Sequence, residues 1–205
     1  EYLSMINLAR VRQISAMDQL DRNEHLSRIE RDKLDAIEKE INNYKKTYGL
    51  IDFTDMIQKF LDQDVTPKFD VIFIDEAQDL SLIQWSMIDK IERDTNCDVW
   101  VAGDDDQAIF GWAGADVDSF INYDAKEIPL TKSERVPSSI QEIALNVINR
   151  IEENRIDKDY FSKSESGQIY ERYKLSDIDM SQGDWLILGR TKSILKSVPT
   201  YLKKK

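Results

Sequence analysis

Histidine and cysteine each occur only once in the 205 residues, as His25 and Cys97. A single cysteine excludes an internal disulfide, so a reducing, cytosol-like compartment is the default reading. Cys97 lies just before an apolar run, where a small buried thiol is expected rather than a nucleophile. His25 stands in the polar stretch "DRNEHLSRIE" and reads as a surface histidine rather than a metal ligand. No apolar run approaches the length of a membrane span, and "EYLSMINLAR" lacks the charged-then-apolar order of a secretory signal. Basic charge is outnumbered by acidic. With 28 Lys and Arg against 39 Asp and Glu, the formal net charge is -11. That balance argues against indiscriminate coating of nucleic acid, while leaving room for a local basic or aromatic groove. Low-complexity tracts and fixed-period repeats are absent as well.

What is present is enough apolar residue, 41%, to build a core. From about Leu3 to Tyr48 the pattern is helical and highly charged, with Leu26, Ile29, Leu34, Ile37, Ile41 and Tyr44 at steps of three to five, and Gly49 supplies a stop. This predicts a helical hairpin with a solvated face. Asp52 can cap a short helix that carries Phe53, Met56, Ile57, Phe60 and Leu61, and Pro67 then breaks the chain. "FDVIFIDEAQD", an amphipathic helix through Ile83, Met87, Ile88 and Ile91, and "CDVWVAGDDDQ" follow. Two short apolar runs separated by a helix-length segment predict a parallel βαβ unit, whose strand ends carry their acids on one edge of the sheet. After Pro129 the pattern restarts: "IPL" as a brief strand, "VPSSIQEIALNVINRI" as a helix, "IYERY" as a polar strand, "DWLILGR" as a buried strand, and a helix from about Thr191. A boundary near Ile128 follows. The chain stops at "KKK", Lys203 to Lys205, inside a helix-like pattern, as a cut sequence would.

The acidic strand ends carry the chemistry. A carboxylate there can be a helix cap, a salt-bridge partner or a metal ligand, and for a single acid the cap is the ordinary reading. Asp75 and Glu76 are adjacent, directly after four apolar residues, and are joined by Gln78 and Asp79. In nucleoside triphosphatases such an acid holds Mg²⁺ on the phosphates, and a neighbouring glutamate can orient or deprotonate water. "GDDDQAIFGWAGAD", residues 103–116, adds Gln107, an uncharged bifunctional amide suited to sensing a γ-phosphate or its attacking water. Phe110 and Trp112 flank Gly111 and can present flat faces for base stacking; the competing reading, core packing, is weakened by the glycines around them.

At this point the residues resemble the UvrD/Rep type of superfamily-one DNA helicases. Five stretches carry the resemblance in order: "IDFTDMI" is similar to the helix before the ATPase strand, "VIFIDEAQD" to the Walker B motif, and "GDDDQAIFGWAGAD" to the motif linking ATP and DNA sites. "LTKSERVPSSI" resembles the segment with an arginine finger, and "DWLILGRTKSIL" the first strand and turn of a second RecA-like domain. The resemblance implies an α/β, RecA-like P-loop NTPase architecture. Residues 1–50 would be the tail of an inserted helical subdomain, 51–127 part of the first RecA-like domain, and 128–205 the beginning of the second. It implies ATP and Mg²⁺ as cofactors, with Asp75 on the metal, Glu76 activating water, Gln107 on the γ-phosphate and Arg135 as the finger. It also implies that Phe110 and Trp112 stack on single-stranded DNA, while Arg190 faces DNA or the nucleotide. The expected partners are single strands and duplex junctions, without sequence specificity, no membrane is involved, 3′ to 5′ polarity is implied, and the compartment is cytoplasmic.

Three departures qualify the resemblance. Ala113 and Glu134 stand where the family often has arginine and tyrosine, and no "GxxxxGK[ST]" phosphate loop occurs. Without the lysine and amide cradle, this polypeptide alone is expected to show little or no ATPase activity. The expected function is part of an ATP-dependent DNA helicase; the alternative is a non-catalytic, helicase-like module that binds single-stranded DNA or a protein partner.

Overall fold

A computed structural model describes residues 1–23, 28–151, 155–156, 158–163, 165–196 and 198–199. His25, Leu26 and Lys203 to Lys205 lie outside them. The chain divides into two compact units: Glu1–Leu130 with Ile148–Asp159, and Thr131–Val147 with Tyr160–Lys205. The segment after residue 147 therefore belongs to the first unit before the chain enters the second again.

In the first unit three helices replace the expected hairpin: α1 (Tyr2–Val11), α2 (Ala16–Asp21) and α3 (Arg31–Tyr48). Ser15 starts α2 by accepting the Asp18 N–H at 3.0 Å, and Gly49 ends α3 at φ +63, the left-handed conformation that glycine adopts without steric penalty. Their apolar faces meet in a core of Met5, Ile6, Ala9, Ala16, Leu20, Ile29 and Leu34, with Ile37 and Ile41 packed against it. Helix α4 (Phe53–Leu61) begins with the Asp52 cap expected of it: Asp52 accepts the Asp55 N–H, and Asp55 accepts the Asp52 N–H in return. Arg10 of α1 and Lys45 of α3 both pair with Asp52 and Asp55, fastening this helix start to the three-helix layer.

The βαβ unit forms as the sequence predicts. Strand β1 (Val71–Ile74) and strand β2 (Asp98–Val101) pair in parallel, Val71 opposite Asp98 and Ile74 opposite Val101, with α5 (Leu82–Thr95) between them in sequence. The two strands are only partly buried. Ile72, Ile74, Val99 and Val101 are half-buried, whereas Val71, Phe73 and Trp100 are exposed, Phe73 at 77%. Helix α5 and its neighbours cover one face of the sheet, through Ala77, Trp85 and Ile88 against Ile74, Leu80, Val99 and Val101. Side chains alternate across a pleated sheet, so a single covered face buries only every second residue. Cys97 is buried, as read. A short helix, α6 (Val117–Ile121), capped by Asp116, closes this region.

The second unit departs further from expectation. "IPL" is not a strand; the strand lies just after it as β3 (Lys132–Pro137), paired in parallel with β4 (Phe161–Lys163). Helix α7 (Ser138–Ile148) follows Pro137 directly, matching the expected helix, and Thr191 caps α8 (Lys192–Leu195). "IYERY" and "DWLILGR" are not strands. Leu186 is 82% exposed, and the β3–β4 pair makes no ladder with it. An apolar run becomes a strand only when its N–H and C=O groups find a partner edge. Among the described residues no helix is long and apolar enough to cross a membrane.

Candidate functional site

The parallel register of β1 and β2 places both following loops on the same sheet edge. The ladder continues past the strands, with Ala102 N–H on Ile74 O at 2.7 Å and Ala77 N–H on Ala102 O at 3.0 Å. Asp75 and Glu76 emerge here, both exposed. Asp75 Oδ1 accepts the Glu76 N–H at 3.0 Å. Glu76 sits at φ +52, a left-handed backbone that non-glycine residues hold only when neighbours enforce it. Mg²⁺ takes oxygen ligands and is commonly held by one or two carboxylates plus phosphates and waters. An exposed carboxylate at a strand tip fits that use. A closed protein cage is not required for it, and no group of three or more His, Cys, Asp or Glu able to hold a metal occurs among the described residues.

The second loop is fixed to the first at both ends. At its start, the Asp104 N–H donates to Gln78 Oε1 at 3.0 Å, and Gln78 Nε2 donates to Glu76 Oε2 at 2.7 Å. At its end, the Asp116 N–H donates to Leu80 O at 2.8 Å, beside a bridge between Ser81 and Ala115. Between them Gln107 Nε2 donates to Asp104 Oδ2 at 2.6 Å. Asp104 also accepts from Lys158 Nζ at 2.6 Å; that ammonium lies against Asp105 too, and Arg155 Nε donates to Asp106 at 2.7 Å. Burial alone would raise the Asp104 carboxyl, but hydrogen bonds from Lys158 and Gln107 outweigh it and hold the group below its ordinary value. The same ion pairs raise Lys158 against the lowering effect of its burial.

The aromatic turn follows. Phe110 is 41% and Trp112 76% exposed, with ring centroids 6.3 Å apart at 50°, so neither is a core residue. Helix α1 supports this turn from beneath. Arg12 Nη2 donates to Gly111 O at 3.0 Å, and Gly114, at φ +103, comes so near that a Cβ there would lie 2.5 Å from Val11 Cγ2. Arg135 and Arg190 belong to the second unit and are both exposed: Arg135 on β3, its N–H on Ser133 Oγ at 3.3 Å, and Arg190 in the turn before α8. The structure thus brings Asp75, Glu76, Gln107, Phe110 and Trp112 onto one unit. Gln78 stands in the acidic motif with no role that spacing assigns, and Asp104, Lys158, Arg155 and Arg12 carry no motif of their own. Only the three aspartates before Gln107, which demand cations, signal Lys158 and Arg155.

The UvrD/REP helicase N-terminal domain matches residues 2–128, more than half of the chain. The chain belongs to the UvrD/REP helicase family. Among individual relatives, DNA helicase II of Escherichia coli K12 is 31% identical over 142 residues, 61% of this chain and 19% of that protein. DNA helicase II of Haemophilus influenzae is 30% identical over 135 residues, 58% of this chain and 18% of that protein. A probable DNA helicase of Mycoplasma pneumoniae is 29% identical over 161 residues, 71% of this chain and 30% of that protein. The chain therefore spans less than a third of the length of each of these relatives.

Proposed function

We propose that the chain is the central part of a DNA motor that couples ATP hydrolysis to movement on single-stranded DNA and unwinding of duplex junctions, without reading sequence. The observation that carries this reading is the joining of an Asp–Glu strand tip to a loop that holds both Gln107 and an exposed aromatic pair. In this reading residues 51–127 contribute the Walker B half of a RecA-like domain. Residues 1–50 form the tail of a helical insertion, and 128–205 begin the second RecA-like domain. The cytoplasm is the compartment implied.

Asp75 holds the Mg²⁺ of the nucleotide, which when bound supplies positive charge against the phosphate oxygens. Glu76 orients the attacking water and takes its proton. Gln107 presents its amide to the γ-phosphate, and Arg135 serves as the finger that neutralises transition-state charge, a role worth about 10³-fold or more in rate. Phe110 and Trp112 stack on bases, and Arg190 supports the nucleotide or the DNA. A salt titration of single-strand affinity tests the DNA side. Trp112→Ala should weaken binding by roughly 1–3 kcal/mol, the usual value of one stacked base, at every salt concentration. Unchanged affinity would remove the aromatic turn from the DNA site.

A further inference from the structure

The chain of hydrogen bonds between the two loops has a centre, Gln78, for which the proposed function above supplies no role. Gln78 is 1% exposed, and its amide orientation is chemically fixed. The Asp104 N–H can only donate, so it must face Oε1; the Glu76 carboxylate can only accept, so it must face Nε2. No other side chain of this length meets both demands without charge. Glutamate would set a second carboxylate against Glu76, and methionine would leave the partly buried Asp104 N–H without its amide acceptor. Gly103 makes room for this amide, since a Cβ there would stand 2.7 Å from Gln78 Oε1 and 2.9 Å from Phe120 Cζ. From Asp104 the connection reaches Gln107 through Oδ2 and is anchored by Lys158 through Oδ1.

We propose that Gln78 is a positioning residue that ties the Glu76 carboxylate to the Gln107 loop, so that the water-activating acid and the phosphate-sensing amide respond to nucleotide as one unit. This rests on the motor reading. Its physical content is that Glu76, on a left-handed backbone at the sheet edge, takes its carboxylate position from the buried amide. The Phe110–Trp112 turn, eight residues or fewer beyond Asp104, shares the same anchored loop.

Two measurements test it. In the 205-residue chain, hydrogen exchange by NMR should show a protected Asp104 amide, exchanging about tenfold or more faster in Gln78→Met, as expected for loss of one partly buried hydrogen bond. In the hydrolysis-competent protein that contains these residues, Gln78→Met should lower kcat by about 10- to 100-fold, the cost of a misplaced catalytic group, with KM for ATP nearly unchanged. Gln78→Glu should regain turnover as pH falls, because the introduced carboxyl, once protonated, again donates to Glu76. An Asp104 amide that exchanges equally in both forms, a kcat unaffected by Gln78→Met, or a Gln78→Glu pH profile parallel to the unsubstituted one would overturn the proposal. If the unsubstituted protein shows no DNA-stimulated hydrolysis, the motor reading falls and takes the role with it. The exchange measurement tells that outcome apart from failure of the clamp itself.

Discussion

Asp52 shows how much one carboxylate can organise. Hydrogen bonding from Arg10 is the main force holding its carboxyl well below the ordinary carboxylate range, with Lys45 and the Asp55 N–H adding to it against the opposing effect of burial. Because the folded-state value is depressed, the stabilisation is complete above the unfolded value and is lost as pH falls through the acid range. The side chain is 39% exposed, so solvent screening keeps the effect modest. Thermal midpoints measured from neutral to acid pH should therefore fall less steeply for Asp52→Asn, which still caps α4, than for the native chain; identical slopes would count against this ion cluster. The placement of Asp75, Glu76 and Gln107 beyond the strand ends was legible in the sequence, because each follows an apolar run at short spacing. Gln78 was not, since its second partner, Asp104, lies 26 residues away, and Lys158 reaches Asp104 across 54. Local spacing carries no information about such bonds.

At the scale of elements, periodicity located helices well and strands unevenly. The cap at Asp52, the stop at Gly49 and the β1–α5–β2 order follow from local chemistry that the sequence displays. "DWLILGR" has the apolar content of a strand but pairs with no edge, while β3 forms from "KSERVP", which no apolar pattern marks. Strand formation depends on a partner that a one-dimensional pattern does not name. The helical layer has a clearer dependence on single side chains. Leu34 is completely buried between α1 and α2, so Leu34→Ala should cost about 2–5 kcal/mol through lost contacts and the cavity left behind. Denaturant unfolding measures this; a loss under about 1 kcal/mol would mean the three-helix core collapses around the gap. Since α1 also leads into Arg12, which donates to Gly111 O, loosening this layer should reduce single-strand affinity as well.

For the whole molecule, family membership rests on residues 2–128, while the second unit was read from shorter motifs. The sequence contains no phosphate loop, so we expect the purified 205-residue chain to bind single-stranded DNA yet turn over little or no ATP. Robust hydrolysis by this chain alone would refute that expectation. We propose that Asp75 and Glu76, just beyond β1, drive a DNA-stimulated ATPase. The most direct test is the steady-state rate of ATP hydrolysis, with saturating single-stranded DNA, by the hydrolysis-competent protein carrying Glu76→Gln. Loss of the general base should lower kcat by about 10²- to 10⁴-fold while DNA affinity is retained; a rate equal to that of the unsubstituted protein would contradict the claim.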